Sequence, residues 1–291
     1  MLVKLRRTLK DNLFKRIMAA VFGMPLIVAA IFSWQGIFLS VLLCVICFLG
    51  MKEYYRITRG GRIERNPSEI FGYTGSIILI ILAGKWSGER YYELVMVVLA
   101  ALLIAVLSAE IFYKVHAPLK NSGVTIFGMM YVGFLLSFTM MVRNYGHPVS
   151  LFGINNIDLG SWLTLYLFIC VWCYDSSAYF IGSYIKKPHR LAPSVSPGKT
   201  WEAAISATVI TTLIAVAGIY LGFAWWQTLI TGFSISILGQ LGDLAESALK
   251  REFSIKDSGE LIPGHKGVLD RFDSLLFAAP AFYFLIRLFH I

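Results

Sequence analysis

The chain has 291 residues, of which 57% are hydrophobic and only 15% are charged. A soluble domain usually carries about a quarter charged residues, so this composition excludes a protein that faces water on all sides. The formal net charge of +9 is explained by basic loops that contact anionic lipid headgroups. Nucleic acid is not an expected partner, because binding it would require a soluble basic surface with aromatic platforms.

Long charge-free stretches predict a bundle of membrane-spanning helices. The stretch 17–51 has 35 residues and the stretch 203–240 has 38. About 20 apolar residues cross a bilayer, so each stretch is long enough for two spans. The predicted fold class is an all-α polytopic integral membrane protein with about nine transmembrane helices. In chain order, the predicted spans are 17–33, 36–51, 69–84, 94–113, 124–142, 162–182, 203–221, 225–248 and 274–289.

The basic residues predict how these spans are oriented. With the N-terminus inside, 22 of the 26 Lys and Arg residues fall in inner segments, and only Lys85, Arg90, Arg143 and Arg287 lie outside. Basic flanks stay in the cytoplasm, so we predict a cytoplasmic N-terminus and an external C-terminus. The expected location is the inner (cytoplasmic) membrane.

The predicted spans divide the chain into an N-terminal part, an external loop and a C-terminal part that holds the candidate site. A short basic segment ahead of the first span is expected to lie at the membrane interface. The parts are the interfacial segment 1–16, spans one to five over 17–142, the external loop 143–161, and spans six to nine over 162–291 with cytoplasmic loops 183–202 and 249–273.

Acidic residues in or beside apolar spans are the strongest indication of function, because a carboxylate inside a span costs at least about 2.5 kcal/mol on insertion scales. The predicted orientation places five of them at a similar depth on the cytoplasmic side. Converging carboxylates need a cation between them, and Mg²⁺ prefers carboxylate oxygens completed by substrate phosphates. The five are Asp175 in span six, Asp243 and Glu246 in span eight, and Asp270 and Asp273 at the start of span nine.

A simpler interpretation of these acids remains open. They could pair with Lys250, Arg251 or Arg271 and only lock the helices together. Buried ion pairs stabilise weakly, and the number of ionisable groups exceeds what locking requires, so we favour a functional site.

Two inner loops carry residues suited to phosphate. The first reads KKPHRLAPSVSPGKTWE over 186–202 and ends where a helix is predicted to start, with no strand predicted before it. Backbone N–H groups at such a start, together with Lys199, suit a phosphate. The second reads KREFSIKDSGELIPGHKGVLDR over 250–271, and its cations could neutralise a polyphosphate. Metal carboxylates beside phosphate-binding cations predict phosphoryl or nucleotidyl transfer onto a lipid, with the base and the lipid left open.

The stretch from Ser247 to Asp273, SALKREFSIKDSGELIPGHKGVLDRFD, resembles the signature of the CDP-diacylglycerol synthases (phosphatidate cytidylyltransferases). Two shorter stretches, DSSAYFIG over 175–182 and SPGKTWE over 196–202, are also similar to that family. The sequence departs from the family pattern at Lys266, where Gly is usual, and at Gly198 and Ala203.

The resemblance implies an enzyme that makes CDP-diacylglycerol and pyrophosphate from CTP and phosphatidic acid, usually with Mg²⁺, and with a second divalent ion or a monovalent cation such as K⁺ as a further option. A homodimer in contact with membrane lipids would be typical. The expected catalytic residues are Asp243, Asp270, Asp273, Lys250, Arg251 and His265. The expected substrate-binding residues are Ser196, Lys199, Thr200, Trp201, Lys256, Asp175 and Arg271. The expected metal ligands are Asp243, Asp270, Asp273 and Glu246.

Two other functions stay open at this stage. One is a CTP-dependent lipid kinase, or a CDP-lipid synthase for another lipid phosphate. The other is an ion-coupled transporter, although transporters tend to have repeated halves with broken helices at the membrane midplane. No such repeat is evident in the sequence, and the acids cluster near one membrane surface.

Overall fold

The computed structural model describes residues 21–59, 68–86, 89–112, 117–146, 149–151, 154–185, 189–255 and 267–291. The predicted interfacial segment 1–16 lies outside these ranges, as do the predicted site residues Lys256 and His265.

Nine apolar helices occur in the described part of the chain, and each overlaps one predicted span. All except α1 and α3 are long and apolar enough to cross a membrane. The fold is therefore that of an all-α polytopic membrane protein, while the number of spans and the location of the termini stay predictions. The helices are α1 (Val21–Phe32), α2 (Ile37–Arg59), α3 (Glu69–Lys85), α4 (Glu89–Phe112), α5 (Pro118–Arg143), α6 (Leu159–Tyr184), α7 (Trp201–Leu221), α8 (Trp225–Glu252) and α9 (Leu269–Phe289).

Two short antiparallel hairpins join helices where we predicted only loops. Strands β1 (Val149–Leu151) and β2 (Ile154–Ile157) pair in the predicted external loop. Strands β3 (Arg190–Ala192) and β4 (Ser196–Thr200) pair ahead of α7, so the prediction of no strand there was wrong. The polar sequence of β4 concealed it, because the strand pairs with one neighbour only and shows no apolar alternation.

Arg143 ties the ends of three helices together at one end of the bundle. Its side chain is buried, and its Nε donates to the carbonyl oxygen of Ile31, the second-last residue of α1, at 2.9 Å. The same guanidinium pairs with Asp158, the N-cap of α6, at 2.7 Å. The ends of α1, α5 and α6 that were predicted to lie outside therefore share one end of the bundle.

Small residues let α8 approach the backbone of α9 beside the candidate site. A Cβ atom added at Gly242 would lie 2.4 Å from the carbonyl oxygen of Asp273. Three residues earlier, a Cβ at Gly239 would lie 3.6 Å from the Cβ of Ser274, an ordinary contact. The closest approach of the two helices thus falls at the level of Asp273.

The N-terminal helices pack against the start of α9. A Cβ at Gly50 of α2 would lie 3.8 Å from the Leu269 side chain and 3.4 Å from that of Val132 in α5. Around Val132, α5 widens into a π-helical turn over Met129–Phe134. Such turns occur often at functional sites. A Cβ at Gly133 would meet the Cα of Ser76 at 2.5 Å, so this part of α5 also presses closely on α3.

Candidate active site

The structure brings acidic residues of α6, α8 and α9 together at one end of the bundle. Ser274 of α9 links two of them, because its hydroxyl donates to Asp175 Oδ1 at 3.1 Å and its backbone N–H donates to Asp273 Oδ1 at 2.7 Å. The charges of Asp243, Glu246 and Asp175 all act on Asp273. Three helices, α6 and the consecutive pair α8 and α9, thus supply one group of carboxylates.

Two lysines contact these carboxylates directly. Lys199, on β4, places its Nζ 2.6 Å from Asp243 Oδ2. Lys250 lies between Glu246, at 3.0 Å, and Asp270, which its ammonium also contacts. The side chains of Lys250 and Glu246 are only 9% and 1% exposed, whereas Lys199 and Asp243 are reached by solvent at 22% and 38%. The site therefore has a buried ion-pair cluster and a more open pair.

The four predicted metal ligands differ in how they are engaged. Both oxygens of Asp270 have protein partners, since Oδ1 contacts Lys250 and Oδ2 accepts the Gly267 N–H at 2.8 Å. Glu246 contacts Lys250 through Oε2, while its buried Oε1 has no hydrogen-bond partner within the described ranges. Asp243 is also engaged, because Lys199 contacts its Oδ2 and the Ser247 hydroxyl donates to its Oδ1 at 3.4 Å. Asp273 accepts the Ser274 N–H through Oδ1, on a helix that touches α8 at Gly242.

This donor chemistry fits Mg²⁺. Within the described residues, no group of three or more His, Cys, Asp or Glu side chains is placed to hold a metal ion. Mg²⁺ usually binds one or two protein carboxylates and completes its octahedron with water and substrate phosphates. A pair such as Asp243 and Asp273 meets that requirement. Glu246 could join through Oε1, which has no partner among the described residues. Asp270 would have to release Lys250 or the Gly267 N–H. Asp243 in turn would have to release Lys199 or the Ser247 hydroxyl.

The β3–β4 hairpin lies beside α8. Arg251 of α8 donates from Nε to the carbonyl oxygen of Val195 in the hairpin turn at 3.1 Å, and the Lys199–Asp243 pair adds a second link. Each of the predicted phosphate-binding cations Lys199 and Arg251 thus takes part in one of the two contacts between the hairpin and α8. Lys199 and Arg271 lie close enough for their positive charges to favour the ionised Asp175.

Three further residues of the predicted loop 183–202 were expected to bind substrate, and they differ from one another in burial. Ser196 is half-buried in β4, and Trp201 is exposed at the start of α7. Thr200 is buried, and its hydroxyl accepts the Ala203 N–H at 3.3 Å as the N-cap of α7. In this conformation Thr200 stabilises the helix start, which accounts for a side-chain oxygen at that position.

Sequence reasoning missed Glu53, a buried residue of α2. Its two carboxylate oxygens accept the backbone N–H groups of Val268 and Leu269, at 2.9 and 2.8 Å. Hydrogen bonds to charged groups contribute about 1.5–3 kcal/mol each. In the sequence Glu53 follows Lys52 just beyond the predicted end of a span. Charged residues are common at that position, so Glu53 did not stand out. No local pattern shows a contact that joins residues more than 200 apart.

Tyr131, in the π-helical turn of α5, was also missed. Its side chain is buried, and its hydroxyl has no hydrogen-bond partner in the part of the chain that the structure describes. The charges acting on it are those of Glu246, Asp273, Asp243 and Asp270. Helix α5 therefore contributes a buried hydroxyl close to the carboxylate site.

The chain is similar to known cytidylyltransferases over nearly its whole length. A model described as "Cytidylyltransferase family" matches residues 14–289. A phosphatidate cytidylyltransferase of Synechocystis sp. is 28% identical, over 94% of this chain and 96% of the relative. Enzymes of the same name from Staphylococcus saprophyticus and Bacillus subtilis are 30% and 36% identical, over 86% and 64% of this chain and 90% and 66% of the relatives. The chain therefore belongs to the cytidylyltransferase family.

Proposed function

We propose that this protein transfers CMP from CTP to phosphatidic acid, giving CDP-diacylglycerol and pyrophosphate for phospholipid synthesis. The observation that carries the proposal is the group of carboxylates from α6, α8 and α9, in which Lys199 contacts Asp243 and Lys250 lies between Glu246 and Asp270. Carboxylates next to lysines suit two phosphate-bearing substrates and a divalent ion. The names of the similar enzymes support the same reaction.

In the proposed reaction an oxygen of the phosphatidate phosphate attacks the α-phosphorus of CTP in line. The new P–O bond forms as the bond to the β-phosphate oxygen breaks, and pyrophosphate departs. A phosphate monoester already carries charge near neutral pH, because its second pKa is about 6, so no strong general base is needed. Lys199 and Arg251, which both contribute to the contacts between the β3–β4 hairpin and α8, are the proposed cations that neutralise phosphate oxygens during this displacement.

Asp243 and Asp273 are the proposed principal Mg²⁺ ligands, with Asp270 and Glu246 as the further members of the predicted set. Mg²⁺, when bound, would screen the repulsion between the two anionic substrates and stabilise the departing pyrophosphate. A second divalent ion or K⁺ is the proposed additional cofactor. Asp175 of α6 and Arg271 of α9 are the proposed contacts to substrate.

The proposed setting is the inner membrane, with the site facing the cytoplasm. That orientation gives access to CTP from the cytosol and to phosphatidic acid from the membrane. It rests on the distribution of the basic residues between predicted inner and outer segments. The proposed assembly is a homodimer.

The direct test uses purified protein with phosphatidic acid, labelled CTP and Mg²⁺. We expect labelled CDP-diacylglycerol and pyrophosphate from the wild type and none from Asp273→Asn. The control is Glu89→Gln, an exposed acid at the start of α4, which should retain activity. If the wild type makes no CDP-lipid, the proposed reaction is wrong, and if Asp273→Asn keeps full activity, the metal assignment is wrong.

The same assay separates the alternatives. A CTP-dependent lipid kinase would release CDP, and a synthase for another lipid would leave phosphatidic acid unused. An ion-coupled transporter would take up substrate into vesicles in response to a cation gradient without consuming CTP.

A further inference from the structure

The start of α9 has an unusual set of hydrogen-bond acceptors. This helix carries Asp270 and Asp273, and the first N–H groups of a helix have no partner within it. The Val268 N-cap supplies no side-chain acceptor. Instead, Gly267 N–H donates to Asp270 of the same turn, while the next two N–H groups donate to Glu53 of α2.

Glu53 is well placed to fix the position of that first turn. Its side chain is 2% exposed, and the residues it contacts, Val268 and Leu269, are also buried. Because its two oxygens bind two successive amides, the carboxylate restrains both the rotation and the axial position of α9. The helix dipole adds a further attraction between the acid and this end of the helix. Gly50, one turn earlier in α2, packs against Leu269 and holds the two elements together.

The restrained turn leads directly into the carboxylate site. Asp270 follows Leu269 in the chain, and Asp273 lies one turn further along the same helix. A shift of this turn would move Asp270 relative to Lys250 and Asp273 relative to Asp243. We infer that Glu53 is a positioning residue: it sets the geometry of the α9 carboxylates for Mg²⁺ and CTP without touching either. The catalytic part of this inference rests on the proposed function.

The test compares Glu53→Ala, Glu53→Gln and a matched control. Glu53→Gln keeps one carbonyl acceptor for the two amides and is the variant that preserves folding if Glu53→Ala does not. The control is Glu69→Gln, which removes a carboxylate from the neighbouring helix α3, where Glu69 pairs with the exposed Arg59 at 2.9 Å. Three quantities are measured: amide hydrogen exchange over 267–275, the Mg²⁺ concentration that half-maximally raises the unfolding temperature, and kcat and KM for CTP.

In Glu53→Ala, exchange at Val268 and Leu269 should rise by about tenfold or more, because two charge-assisted hydrogen bonds are lost. The half-saturating Mg²⁺ concentration should rise and kcat should fall, together by about 10- to 100-fold, the usual effect of removing a group that orients metal ligands. Glu53→Gln should show smaller changes in the same direction, and Glu69→Gln should match the wild type.

Two results would overturn the inference. One is unchanged amide exchange in Glu53→Ala, which would mean that the carboxylate does not hold the turn. The other is faster exchange and lower stability with unchanged Mg²⁺ dependence and kcat, which would reduce Glu53 to a structural contact. If the wild type itself forms no CDP-lipid, the proposed function fails, while the exchange and Mg²⁺ measurements still decide the role of Glu53.

Discussion

Three of the five acids in the site, Asp243, Glu246 and Asp270, form ion pairs with lysines. Lys250 is enclosed by Glu246 and Asp270, whereas Lys199 meets Asp243 at a position that solvent reaches. These two environments have different energetic consequences. Removing one partner of a buried ion pair leaves an uncompensated charge, while an exposed pair contributes little to folding.

Lys250→Met should therefore destabilise the protein by about 3–5 kcal/mol and abolish activity, because Glu246 and Asp270 would remain buried without their cation. Thermal unfolding in detergent and CDP-lipid formation measure the two effects. The double variant Lys250→Met/Glu246→Gln should recover part of the stability but none of the activity. Wild-type stability in the single variant would show that the cluster does not depend on Lys250.

Lys199→Met should lose activity without losing stability. Solvent reaches the half-buried pair with Asp243, and we expect it to contribute only about 1 kcal/mol, so the unfolding temperature should stay close to that of the wild type. Activity should fall by about 10²- to 10³-fold, because a cation that stabilises developing charge on a phosphate is lost. Steady-state kinetics with CTP checks this, and Lys199→Arg should retain more activity than Lys199→Met. Near-wild-type turnover in Lys199→Met would remove Lys199 from the proposed mechanism.

At the scale of elements, the site depends on how closely α8 and α9 pack. Gly242 and Gly239 lie three residues apart on α8, and both face α9. Only Gly242 faces backbone at a distance that excludes a side chain. The two glycines therefore form a matched pair in which a methyl group has opposite consequences.

Gly242→Ala should separate α8 from α9, because its Cβ would lie 2.4 Å from the carbonyl oxygen of Asp273. Overpacking of this kind costs about 1–3 kcal/mol, and we expect at least a tenfold loss of activity because Asp273 moves with the backbone. Gly239→Ala should be neutral or stabilising by up to about 1 kcal/mol, since alanine favours a helix. Equal behaviour of the two variants, in unfolding temperature and CDP-lipid formation, would contradict this account.

At the scale of the whole molecule, the sequence was most informative where the membrane restricts it. Apolar runs predicted nine helical segments, and a helix overlaps each one. The alternating direction of these segments predicted that Asp175, Asp243 and Asp273 converge, and the structure places them together. Both inferences depend only on segment order and on the cost of charge in lipid.

Details that depend on the relative register of distant helices could not be predicted. The bond from Glu53 to the start of α9 joins residues 215 apart, and no periodicity encodes it. Lys250 pairs with Glu246 and Asp270. The sequence did not single out this lysine, because Arg251 and Arg271 were also candidate partners for the acids. Strand β4 was missed, since its sequence SPGKT contains Pro and Gly and lacks the alternation of apolar and polar residues that is typical of a strand.

The helix ends fall into two groups, one around Arg143 and the other around the carboxylate site. Arg143, Ile31 and Asp158 meet at one end of the bundle. The carboxylate site, with Lys199 and Lys250, lies where other helix ends meet. The predicted outer and inner segments thus fall into different groups. The distribution of basic residues predicts that the group with the carboxylate site faces the cytoplasm. An independent measurement can test this orientation.

Single-cysteine labelling in sealed right-side-out vesicles measures that orientation. In a background with the four native cysteines replaced by alanine, Arg90→Cys at the start of α4 should react with a membrane-impermeant maleimide without permeabilisation. Ser194→Cys in the β3–β4 turn should react only after detergent is added. Both positions are exposed, so a difference in labelling reports sidedness rather than burial. The reverse pattern would place the carboxylate site on the outer surface, away from cytosolic CTP, and would contradict both the topology and the proposed reaction.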